Sequence, residues 1–184
     1  MVNRSLICIG LTFALSLAAC SKDEPPPAPY AVEEVPLSQI SADLAAGNTT
    51  SVEVTKAYIE RINTYDDALN SVIMIAPDAL ELAAASDTRR AAGQTLGPLD
   101  GIPILLKDNI DAVGMPTTAG SYAMLENMPA RDSEVAKRLR SAGAVLLGKA
   151  NTSQWAGLRT TAAFAGSTVG GGTHNPYDLD RTAA

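Results

Sequence analysis

The run Gly97-Pro98-Leu99-Asp100-Gly101-Ile102-Pro103-Ile104-Leu105-Leu106-Lys107-Asp108-Asn109-Ile110 carries the reading of this chain. Its centre, Ile102 to Leu106, is continuously apolar, as in a strand buried on both faces, and it delivers one lysine to a polar loop. A second such strand, Ala144-Val145-Leu146-Leu147-Gly148, follows a segment predicted to be helical from about Ser133 to Ala142. Asp132 or Ser133 supplies the cap of that helix and Gly143 its stop, so the unit reads as strand, helix, strand with a right-handed parallel crossover. In such sheets ligands gather beyond the carboxyl ends of the strands, where Lys107 and Lys149 both fall, and the two lysines are expected to point toward one rim.

Working backward, Leu37, Ile40 and Leu44 share one face of a short helix ending near Gly47. Thr50 or Ser51 can cap a second helix with the stripe Val54, Tyr58, Ile59 and Ile62. Asn70 to Ile75 reads as a strand ending before Pro77, and Asp78 to about Ala92 as a third helix. Alternating helices and short apolar runs predict an α/β layer architecture, a sheet flanked by helices.

Composition narrows the class. With 46% hydrophobic and 18% charged residues the chain can bury a core, and 4% aromatics make that core mainly aliphatic. A net charge of -6 provides no basic surface for nucleic acid. Residues 1–19 read as a secretory leader, with Arg4 ahead of the apolar run from Leu6. Leu17-Ala18-Ala19-Cys20 resembles the bacterial lipobox, which makes Cys20 the expected lipid-attachment residue. Cys8 would leave with the leader, so the mature chain could form no internal disulfide. Four prolines between Pro25 and Pro29 predict an extended tether over residues 20–34, with the domain beginning at 35. The expected location is the periplasmic face of a bacterial membrane, with the outer membrane preferred because Ser21 gives no inner-membrane retention signal.

Lys107 is the leading candidate for chemistry. A strand-end lysine is ordinarily solvated and could simply pair with Asp108, whereas a catalytic lysine needs partial burial, which lowers its pKa and frees a neutral amine to accept a proton. Lys149 has a similar setting and is read as structural. His174 is the only histidine and lies in a glycine-rich turn with no Gly-x-Ser-x-Gly elbow to supply a serine, which argues against a serine, histidine, aspartate triad and against zinc. The run Gly166 to Gly172 lacks the Gly-Lys-Ser/Thr of a phosphate loop and reads as a loop permitting close backbone approach.

Four ordered blocks resemble the amidase signature family: Gly97 to Asn109, Gly114 to Ser121, Ala142 to Asn151, and Asn175-Pro176-Tyr177-Asp178-Leu179-Asp180-Arg181. The resemblance implies a partial amidase signature fold over residues 35–184 and makes Lys107 the catalytic lysine. In that family the lysine takes a proton through a bridging serine held by a cis peptide bond, and so activates a nucleophilic serine. No metal or organic cofactor is implied. The family's Gly/Ser-rich signature follows the block that matches Asn175 to Arg181, whereas here Thr182-Ala183-Ala184 follows. Both serines would then lie outside these residues; Ser167 precedes the block and matches neither. The expectations are a chain inactive alone, a small amide or peptide amide as substrate once completed, and a complementing C-terminal fragment as partner. A tRNA-linked amidotransferase, which works in the cytosol, fits the leader poorly. The alternatives are one half of a split amidase and a lipid-anchored binding module without chemistry.

Overall fold

The computed structural model describes residues 28–157 and 166–183. The leader, Cys20 and the first part of the tether lie outside the described residues. Helix α1 (Leu37–Ala46) buries Ile40 and Leu44 and closes at Gly47. Helix α2 (Ser51–Leu69) starts with a capping box: Thr50 Oγ1 accepts from the Glu53 amide at 3.1 Å, and Glu53 Oε2 accepts from the Thr50 amide at 2.9 Å. The Asp87 carboxylate, reaching across from the next helix, accepts from the Ser51 and Val52 amides at 2.7 and 3.1 Å and so faces the positive end of the helix dipole. Thr50 is thus the cap, and Ser51 is fully buried inside the first turn.

Strand β1 (Val72–Ile75), helix α3 (Ala79–Ala91), strand β2 (Pro103–Lys107), helix α4 (Glu134–Ser141) and strand β3 (Val145–Ala150) follow, as the apolar periodicity predicts. Ser133 caps α4 by accepting from the Ala136 amide at 3.2 Å. The sheet order is β1-β3-β2, with β3 parallel to β2 and antiparallel to β1. β3 therefore lies in the middle, and Val145, Leu146 and Leu147 form the centre of the main core with Leu106, Met115, Ala79 and Ala83. Gly148 is required there for space: a Cβ at this position would overlap the Met74 carbonyl oxygen of β1.

A second cluster, Ile40, Leu44, Val54 and Ile102, joins α1 and α2 to the start of β2. Tyr30 and Val32, which sequence assigns to the tether, pack against it. The Tyr30 hydroxyl donates to Asp43 at 2.7 Å. The last third is built of short pieces: β4 (Gly166–Ser167) pairs with β5 (Gly171–Gly172), and β6 (His174–Asn175) with β7 (Asp178–Thr182).

Candidate active site

Strand register separates the two lysines. Leu106 stands beside Lys149 and Lys107 beside Ala150 in the parallel β2 and β3 pair. Partnered residues share a face and consecutive residues alternate, so Lys107 and Lys149 point to opposite sides of the sheet. The expectation that both face one rim is corrected on this point, because sequence fixes where a strand ends but not the register against its neighbour.

Burial is also exchanged. Lys107 is exposed, and the amine inside is that of Lys149, at 0% exposure. Lys149 Nζ donates to the Ile110 carbonyl at 2.9 Å and to Thr117 Oγ1 at 3.1 Å, and lies 3.5 Å from Asp108 Oδ1. Burial pushes this amine below its ordinary value of 10.5, while the Asp108 carboxylate pulls the other way. Asp108 is itself buried and accepts from the Thr118 amide, the Thr118 hydroxyl and the Gly120 amide. It therefore turns away from Lys107, and the surface pair of adjacent residues that sequence allowed does not form.

Lys107 enters a cleft of about 240 Å³ lined by Asn151, Thr152, Ser153, Thr173 and Thr182. No ion pair holds its amine among the described residues. An amine without an ion pair among the described residues, at the wall of a hydroxyl-rich cleft, can hydrogen-bond an incoming hydroxyl or an anionic group. Asn151 ties the cleft wall to its neighbours: Nδ2 donates to the Asn70 carbonyl at 2.7 Å and to the Gly171 carbonyl at 3.1 Å, joining the end of α2 to the glycine turn. Sequence reading singled out none of these lining residues, although Asn151 sits two positions after Lys149 in a quoted block.

The other candidates take local roles. Ser167 Oγ donates to the Gly120 carbonyl at 3.1 Å and accepts from the Val169 and Gly170 amides at 3.0 and 2.9 Å, so its hydroxyl closes a turn. His174 Nδ1 lies 2.7 Å from the Leu179 carbonyl within the β6 and β7 hairpin.

The chain as a whole has counterparts among known proteins. The sequence matches the Amidase family over residues 53–184, well over half of the chain. The chain belongs to the amidase signature family. It is 41% identical over 147 residues to a glutamyl-tRNA(Gln) amidotransferase subunit of Salinispora tropica, covering 78% of this chain and 29% of that one. Among solved structures, the native peptide amidase of Stenotrophomonas maltophilia is 44% identical with a TM-score of 0.77, over 80% of this chain and 31% of that one. An amidase family protein of Bacillus anthracis is 32% identical at the same TM-score, over 83% and 31%. The chain thus spans less than a third of the length of each of these amidase relatives, and its fold is a partial amidase signature fold.

Proposed function

We propose that this chain carries the lysine-bearing part of an amide-hydrolysing site, and that the nucleophilic and bridging serines come from polypeptide outside its 184 residues. The observation that carries this reading is the Lys107 amine, held by no ion pair among the described residues and facing a cleft at the end of a strand in a member of the amidase signature family. Lys107 accepts a proton from the bridging serine, which accepts one from the nucleophile; the resulting alkoxide attacks the amide carbonyl. The amine or ammonia leaves with a proton, and water then releases the acyl group.

Peptide amides and small amides are the substrates favoured here, on the similarity to a peptide amidase and on the export leader at residues 1–19. Acylation at Cys20 places the protein on the periplasmic face of a membrane, and a C-terminal fragment completes the site. The test is ammonia release from a peptide amide by the full gene product purified from its own cells. Lys107→Ala is expected to lower kcat/KM at least about 100-fold. Turnover that survives this change refutes the assignment. Detergent phase partition and intact mass test Cys20: a mature protein without lipid mass that stays in the aqueous phase removes the anchor.

A further inference from the structure

We propose that Lys149 is a positioning residue of the Lys107 cleft: from the opposite side of the sheet it fixes the loop that leaves Lys107. This inference rests on the reading of that cleft as an amidase site. A wholly buried ammonium must be satisfied by acceptors, and among the described residues the acceptors of Lys149 all belong to the segment that continues from Lys107: Asp108, Ile110 and Thr117. None comes from the helices that cover the sheet. The amine is thus spent on one loop rather than on the core at large.

The loop transmits that constraint. Asp108, held by Lys149, accepts from the Thr118 amide at 3.2 Å and from the Gly120 amide at 3.2 Å, and its own carbonyl accepts from the Ala119 amide at 3.0 Å. The Gly120 carbonyl in turn accepts from Ser167 Oγ at 3.1 Å and from the Thr168 amide at 2.9 Å. Asn151, in the wall of the cleft, holds the same turn from its other end through Gly171. Lys149, Asp108, Gly120, Ser167 and Asn151 therefore form one connected frame that runs from the loop after Lys107 to the wall of its cleft. An apolar side chain of similar length would fill the space of Lys149 but leave the frame without its central donor.

The test compares wild type with Lys149→Met by amide hydrogen exchange and, in the full gene product, by steady-state kinetics on a peptide amide. The amides of Thr118 and Gly120 are expected to exchange at least about tenfold faster, while that of Ala83 in α3 is unchanged. With them kcat is expected to fall about 100-fold while KM stays within about threefold. Unchanged exchange at Thr118 and Gly120 overturns the proposal, as does wild-type kcat in a variant whose loop has loosened. Should Lys149→Met not fold, Thr117→Val removes one acceptor and is read in the same way, with about threefold effects expected. Should wild type show no amidase activity, the parent reading falls, and the exchange comparison alone decides whether Lys149 holds the loop.

Discussion

Arg89 grips the buried carboxylate of Asp100 through two nitrogens, Nη2 at 2.6 Å and Nε at 3.3 Å, across the connection between α3 and β2. The Leu96 amide adds a third donor at 2.9 Å. Arg89→Ala leaves a carboxylate of 0% exposure without its cation, and the expected loss is about 3 kcal/mol in urea denaturation.

The same pair sets an acid limit. Burial alone would raise the Asp100 carboxyl, but the hydrogen bonds from Arg89 and the Leu96 amide, with the charge of Arg89, outweigh it and hold the group below the ordinary 3.8. The unfolded chain therefore takes up the proton first as pH falls. The contribution is complete above the ordinary value and is lost as pH drops through the depressed one. The urea midpoint should fall on acidification below 3.8, and Asp100→Asn should flatten that fall while lowering stability at neutral pH.

Gly143, which ends α4, has φ +80° and is backed directly by Asp100. A Cβ there would lie 2.5 Å from Asp100 Oδ1 and 3.0 Å from Asp100 Cα. Backbone strain and overlap act together in Gly143→Ala, which is expected to cost roughly 2 to 4 kcal/mol. A thermal midpoint equal to that of wild type would contradict this packing.

The two lysines should respond oppositely to truncation. Lys107→Ala removes an exposed side chain with no ion pair among the described residues and should change stability by no more than about 0.5 kcal/mol. Lys149→Ala breaks a buried pair and should cost about 3 kcal/mol or more. Chemical denaturation of both variants checks the assignment of faces independently of any activity.

Tyr30 offers a spectroscopic mark of the packed entry segment. Burial, then the hydrogen bond to the Asp43 carboxylate, pushes its phenol up to about 12. Ultraviolet titration should show late tyrosine ionisation to which Tyr58, also raised by burial, contributes, and Tyr30→Phe should remove the Tyr30 step at a cost of about 1 kcal/mol.

Much of this fold was legible in the chain, because α2, β2, α4 and β3 announce themselves by period and by caps such as Thr50 and Ser133. The parallel pairing of β2 with β3 followed from the helix between them. The antiparallel seat of β1 against β3 did not, since a short apolar run such as Val72 to Ile75 fits either orientation. At the site, Lys107 was visible at the end of its strand. Its exposure and the burial of Lys149 were not, because both depend on a register that differs by one residue. Asp108 illustrates the same limit: beside Lys107 in the chain, it bonds instead to a lysine 41 positions away.

Asn151 also bears on the order in which the molecule forms. Its side chain reaches the Asn70 carbonyl, 81 positions away, and the Gly171 carbonyl, 20 positions away. The bond to Asn70 forms only once the end of α2 and β3 have met, so closing that long loop precedes its return in contact energy. The wall of the cleft is accordingly expected to form after the helices, so the contact between Asn151 and the end of α2 is where a slow folding step should be sought.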